Sequence, residues 1–154
     1  ILMSCNLGVV GDGTEELRYS RGDSVRLMGV SGRILHDLNH CEHWRGVRVA
    51  WVSRCDEPLW ADECLKKFRS CPEQLDPLHT LAHSSHIYKA NKKEHFRRLQ
   101  TEYPDIDFRD MIFYDNEYSN ITSVSSLGVH SVYSPDGMTK EIWEKSLAEF
   151  ASKC

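Results

Sequence analysis

Apolar positions along the chain alternate between short unbroken runs and stripes spaced i, i+3, i+4. The clearest run is Met111-Ile112-Phe113-Tyr114, which passes directly into Asp115-Asn116-Glu117. A strand covered on both faces reads as such a run, and in open α/β sheets ligands collect beyond the carboxyl ends of these strands. Gly46-Val47-Arg48-Val49-Ala50-Trp51-Val52 is β-branched and aromatic and stops at Ser53-Arg54-Cys55-Asp56. Ser85 to Tyr88 and Val129 to Tyr133 read as further short strands, and Leu7 to Val10 as one that enters an Asp12-Gly13 turn. Helical stripes lie between them. Ile34, Leu35 and Leu38 follow Ser31 as N-cap in a helix ending near His43, and Trp60, Cys64, Leu65 and Phe68 follow Pro58. Phe96 and Leu99 follow Asn91 as cap, with Pro104 closing that helix. Residues 117–126 form a short helix ended by Gly128, and the last helix starts near Met138 with Ile142, Trp143, Leu147 and Phe150 on one face. Glu15 to Asp23 and Ser70 to Pro77 show neither period and read as loops, and residues 1–29 as a whole read as an irregular or cap-like segment. Trp44, Trp60 and Trp143 read as core.

Strands alternating with helices imply right-handed crossovers and a mainly parallel sheet, so the fold class is α/β. At 154 residues one domain, 1–154, is expected, without internal repeats. A formal net charge of -4 supplies no basic field, which excludes nucleic acid and an anionic membrane surface as partners. No apolar run approaches the roughly 20 residues of a membrane helix, and the reading is cytoplasmic. Six cysteines (Cys5, Cys41, Cys55, Cys64, Cys71, Cys154) are scattered without a CxxC pair and read as reduced thiols. Asn120-Ile121-Thr122 matches a glycosylation sequon, but directly behind a buried strand it reads as a chance match.

Three polar clusters fall where strands end or helices begin: Ser53-Arg54, Lys92, and Asp115-Asn116-Glu117. In a parallel sheet these share one edge. A hydroxyl, a guanidinium and an ammonium can hold phosphate oxygens, and a carboxylate beside an amide oxygen offers hard ligands to Mg²⁺. The chemistry suggested is a phosphoryl site with a magnesium ion. Two competing constellations are weaker. His36 and His40 are spaced i, i+4, as are His79 and His83 if that segment is helical, but neither pair carries the Glu of an HExxH and both read as surface histidines. Cys55 could offer a thiol nucleophile, but its arginine precedes it rather than following.

The order of strand-Ser53-Arg54, then Ile87-Tyr88 with Lys92 four residues on, then Met111 to Glu117, Leu127-Gly128-Val129 and Pro135-Asp136-Gly137-Met138 resembles the magnesium-dependent, acid-phosphatase-like branch of the haloacid dehalogenase superfamily. The resemblance runs from about Asp12 to the C-terminus. It implies a Rossmann-like three-layer domain with a minimal cap. It also implies a phosphomonoester hydrolase in which Ser53 and Arg54 bind phosphate, with Lys92 as the motif-three lysine. Lys89 and Lys93 leave the register of that lysine open. Asp115 and Asn116 match the Mg²⁺-holding pair of motif four; where many relatives have two aspartates, Asn116 keeps an oxygen and loses a charge.

The family's first motif, an apolar strand ending in Asp-x-Asp-x-Thr, does not occur in these residues. On one reading the nucleophile strand lies upstream, and Gly11-Asp12-Gly13-Thr14 belongs to the segment after it. On the other, Val9 to Thr14 imitates the motif, with Asp12 as a surrogate acid and base and Val10 at the nucleophile position. Either way the stretch as given is expected to be inactive. The motif-one strand lies between those bearing motifs two and four in this superfamily, so its loss leaves inner edges unpaired unless Leu7 to Val10 or a partner chain fills the gap. The substrate expected is a phosphorylated small molecule or phosphorylated protein side chain. The alternative function is a non-catalytic phosphatase-like binding module.

Overall fold

The computed structural model describes residues 2–3, 17–18, 24–25, 29–71 and 74–153. Three short strands come first: β1 (Leu2–Met3), β2 (Leu17–Arg18) and β3 (Ser24–Val25). Then follow α1 (Ser31–His40), β4 (Arg48–Ser53), α2 (Pro58–Lys67), β5 (Arg69–Cys71), β6 (Gln74–Pro77), β7 (Ser84–Ile87) and α3 (Lys92–Glu102). The chain continues through β8 (Ile112–Asp115), α4 (Tyr118–Ser125), β9 (His130–Tyr133) and α5 (Lys140–Ala151).

The pairing that positions the site is parallel. β4 runs beside β7 from Ala50 opposite Ser84 to Ser53 opposite Ile87, and β8 beside β9 from Ile112 opposite His130 to Asp115 opposite Tyr133. β1 pairs in parallel with the start of β4, Leu2 opposite Arg48 and Met3 opposite Val49, and also runs close to β8. Thus Leu2–Met3 stands between the two strand pairs, where Leu7 to Val10 or a partner chain was expected; Leu7 to Val10 and Asp12 lie outside the described residues.

The unbroken apolar runs divide between two cores. Val49 and Trp51 of β4, with Ile112 and Tyr114 of β8, pack on Ile34, Leu35 and Leu38 of α1 and Cys64 and Leu65 of α2. Ile142, Trp143, Leu147 and Phe150 of α5 join the same side half-buried. Ala50, Val52, Met111 and Phe113 face the other way, onto Phe96 and Leu99 of α3 and Ile121 and Val124 of α4. Successive strand residues point to opposite faces, so helices on both sides make a three-layer domain. Phe113 and Phe96 meet edge to face, centroids 5.1 Å apart.

Local signals set the helix ends. Asn91 caps α3 by accepting from the Glu94 N–H at 3.0 Å, and Thr139 caps α5 by accepting from Ile142 N–H at 3.2 Å. Pro58 opens α2 at its first turn, where no backbone N–H is needed. Gly128 ends the turn after α4 at φ +97°.

Several expectations are corrected. Ser31 is the first helical residue of α1 rather than its cap, which is Val30 without a side-chain bond, and α1 stops at His40 before a 3₁₀ turn at Glu42–Trp44. Ser70 to Pro77 is not a loop but most of an antiparallel hairpin, Arg69 opposite Pro77 and Cys71 opposite Gln74. Its pairing is backbone to backbone, which leaves no apolar alternation to read. Likewise Glu15 to Asp23 contains β2, paired antiparallel with β3. Trp60 is 45% exposed, not core, because α2 turns Cys64 and Leu65 inward instead. The His79 region is a 3₁₀ turn, Leu78–Leu81, that ends before His83. No helix among the described residues is long and apolar enough to cross a membrane.

Candidate active site

The carboxyl ends of β4 and β8 come together through one lysine. Lys92, the first residue of α3, is 3% exposed, and Asp115, the last residue of β8, is 1% exposed. The Lys92 ammonium lies 3.3 Å from Asp115 Oδ2 and donates to the Val52 carbonyl at 2.6 Å. Carbonyls of Val49 and Ser53 accept from the β7 side, so Val52 O points the other way, towards β8. Lys92 therefore spans β4 and β8 beyond the point where β1 pairs with β4.

The placement of Lys92 follows from the start of α3. The cap at Asn91 fixes the first turn, and His95, one turn on, is fully buried and stacked on Tyr88 with centroids 4.2 Å apart. The His95 ring nitrogens sit 2.9 Å from the Asn91 carbonyl and 3.1 Å from the Tyr88 carbonyl. This ring ties the chain leaving β7 to the helix and so aims Lys92 inward. Lys89 is on the surface, 3.0 Å from Asp56, and Lys93 is half-buried, so it is Lys92 that reaches Asp115.

Asp115 is held tightly. Its Oδ1 accepts from the Glu117 backbone N–H at 2.7 Å, and the Asn120 side-chain amide reaches both carboxylate oxygens at 3.2 Å. The same amide donates to Glu117 Oε2 at 3.0 Å. Glu117 also sits 3.7 Å from the Arg54 guanidinium, both about half exposed. The result is a chain of alternating charge, Lys92, Asp115, then Glu117 and Arg54, with Asn120 bridging the two carboxylates. Burial pulls the Lys92 ammonium below its ordinary value, while Asp115 and then Glu117 oppose that shift and Arg54 adds to it.

The sequence-predicted residues thus fall into two groups. Lys92, Asp115 and Arg54 belong to one network, with Arg54 paired to Glu117 instead of Asp56 or Glu57. Ser53 ends β4 half-buried, its carbonyl accepting from Tyr88 N–H at 3.1 Å, and Asn116 follows Asp115 on the exposed rim. Cys55 is half-buried, with Glu57 N–H donating to its Sγ at 3.4 Å. Among the described residues Cys41, Cys55 and Cys64 are free thiols. The residue missed by sequence reasoning is Asn120. Its only sequence signal was the sequon, yet at 7% exposure its amide is turned inward onto Asp115.

The donor set suits a hard cation. Asp115, Asn116 and Glu117 are consecutive oxygen donors at a strand end. The four close contacts to Asp115 occupy about as many acceptor positions as a carboxylate has, so a cation would replace the weakest, the shared Asn120 amide.

The sequence model of the acid phosphatase family matches residues 10–153. The chain belongs to this family. A human relative named magnesium-dependent phosphatase 1 is 35% identical over 140 residues, which span 91% of this chain and 71% of the relative. Membership in a magnesium-dependent, acid-phosphatase-like family agrees with the α/β architecture and with the order of the polar clusters at the strand ends. The matched span contains every member of the Lys92 and Asp115 network.

Proposed function

We propose that this chain carries the phosphate- and Mg²⁺-binding half of a phosphomonoester hydrolase of the haloacid dehalogenase superfamily. The observation that carries the reading is the buried Lys92 and Asp115 pair bridging the carboxyl ends of β4 and β8. A fully desolvated lysine and carboxylate at a sheet edge are costly for stability alone, and such sites are where function retains them. Ser53 and Arg54, at the end of β4, would hold phosphoryl oxygens, and Lys92 would offset their charge. Asp115 and Asn116 would hold Mg²⁺, with Glu117 at hand on the rim. When bound, the ion supplies Lewis-acid stabilisation of charge on phosphorus oxygens.

In such a reaction an aspartate would attack phosphorus in line. These 154 residues contain no Asp-x-Asp-x-Thr, and the position for such a strand, between β4 and β8, is that of β1. Taken alone, then, this stretch would bind phosphate with Mg²⁺ without turning over a phosphomonoester. Substrates would be phosphorylated small molecules or phosphorylated protein side chains, and the compartment would be the cytoplasm.

The test is titration with inorganic phosphate in the presence and absence of Mg²⁺, alongside phosphate release from an aryl phosphate. Mg²⁺-dependent phosphate binding that is lost in Lys92→Met supports the reading. Absence of Mg²⁺-dependent binding by a folded chain overturns it. Turnover of the aryl phosphate overturns the claim that the stretch alone is inactive.

A further inference from the structure

Away from the phosphoryl site, α1 and the β5 and β6 hairpin bring three metal-ligating side chains together. His36 and His40 lie one turn apart on α1, their rings stacked with centroids 4.2 Å apart at 21°. His40 Nδ1 lies 2.9 Å from the His36 carbonyl oxygen, and His40 Nε2 lies 3.3 Å from Asp76 Oδ2. Both neighbours are acceptors. A neutral imidazole carries one N–H, so donating Nδ1–H to the carbonyl turns the Nε2 lone pair onto a carboxylate. That opposition is relieved by a second proton or by a cation between the two groups. Beside it, His36 Nδ1 is buried with no hydrogen-bond partner among the described residues, a nitrogen desolvated without compensation. The three side chains offer ligand atoms within 4.8 Å of one another.

We propose that His36, His40 and Asp76 form a site for a divalent transition-metal ion of the zinc class. Two imidazoles and one carboxylate suit zinc, cobalt or nickel rather than magnesium, which prefers oxygen. The bond from His40 Nδ1 to a backbone carbonyl is the outer-shell contact that fixes the tautomer of a metal-bound histidine. Three protein ligands leave the remaining coordination to water. Sequence spacing could not complete this set, because Asp76 arrives on a hairpin 36 residues after His40 in a segment read as a loop.

The site lies away from the phosphoryl chemistry. α1 leads into β4, so His40 sits towards the beginning of that strand, whereas Lys92 and Asp115 sit where β4 and β8 end. The ion would clamp β6 to α1 and stabilise the fold by binding only its native form.

The experiment is equilibrium dialysis of the full chain against zinc sulfate with Mg²⁺ in excess, together with ring-nitrogen NMR of the histidines. The result expected is one zinc ion per chain. Binding should be at least about ten-fold weaker in His40→Ala and in Asp76→Asn, and unchanged in Cys41→Ser. His40 and Asp76 are about half exposed, so both variants should fold. In the unmodified chain, zinc should shift the ring nitrogens of His36 and His40. No zinc uptake, uptake that survives His40→Ala, loss with Cys41→Ser, or ring shifts confined to other histidines would each overturn the proposal.

Discussion

Replacing Lys92 with methionine keeps all but the last atom of the side chain's length and removes its charge. At 3.3 Å and an effective dielectric of ~20, the gross attraction between Lys92 and Asp115 is about 5 kcal/mol, and the burial of both groups consumes much of it. Net worth is not what the variant measures, since it leaves the Asp115 carboxylate buried and uncompensated. Breaking such a pair typically costs about 3–5 kcal/mol. Asp115 retains the Glu117 N–H at 2.7 Å and the Asn120 amide, which places the expected loss near the lower end, about 3 kcal/mol. That is a large share of the roughly 5–15 kcal/mol of a whole domain. The assay is urea unfolding of the original chain, Lys92→Met, Asp115→Leu and the double variant. The double variant removes both charges, so its loss should fall short of the sum of the single losses by about 2 kcal/mol or more. A Lys92→Met loss under about 1 kcal/mol, or strict additivity in the double variant, would refute the reasoning.

Other consequences follow from individual contacts. If Asp115 and Asn116 hold Mg²⁺ as proposed, Asn116→Asp adds a second carboxylate beside Asp115 and should tighten Mg²⁺ binding about ten-fold by calorimetric titration. His130 is buried and accepts the Lys153 ammonium on Nδ1 at 2.7 Å; burial first, then Lys153, lowers its pKa despite Glu149 3.9 Å away. Its contribution to stability is therefore full above the unfolded value of about 6.5 and lost as pH falls through the lower folded value. Urea midpoints should drop as pH falls below about 6.5, and less steeply in His130→Gln. Gly29 holds φ +63°, and a Cβ there would stand 2.0 Å from the Met138 carbonyl oxygen. Gly29→Ala should cost about 1–3 kcal/mol from the backbone alone, with the displaced Met138 strand bridge adding to it, measured by thermal unfolding. Phe113→Ala opens a cavity against Phe96 and should cost about 3–5 kcal/mol with an unchanged number of folded species by NMR.

The legible parts of the sequence were those with a local physical cause. Asn91 and Pro58 mark helix starts because a side-chain acceptor or a missing N–H acts within one turn. The runs Val49 to Val52 and Met111 to Tyr114 announced strands buried on both faces, and both feed two cores through alternate residues. Because strands of one direction end on one edge, Ser53, Lys92 and Asp115 could be grouped before any coordinates were known.

What tertiary structure decided is which side chains actually meet. No spacing rule selects Lys92 over Lys89; burial beside Asp115 does, since only one of three nearby ammonium groups faces the gap between β4 and β8. Asn120 looked like a sequon and is a bridge between Asp115 and Glu117, because α4 turns its amide inward. The hairpin that carries Asp76 to His40 is held by backbone hydrogen bonds between segments that share no apolar period, and side-chain pattern cannot report such pairing. The chain's residue order fixed the class, the parallel direction of β4, β7, β8 and β9 and the edge where their polar ends gather. Long-range packing fixed the pairs, because burial and distance exist only once the strands are side by side.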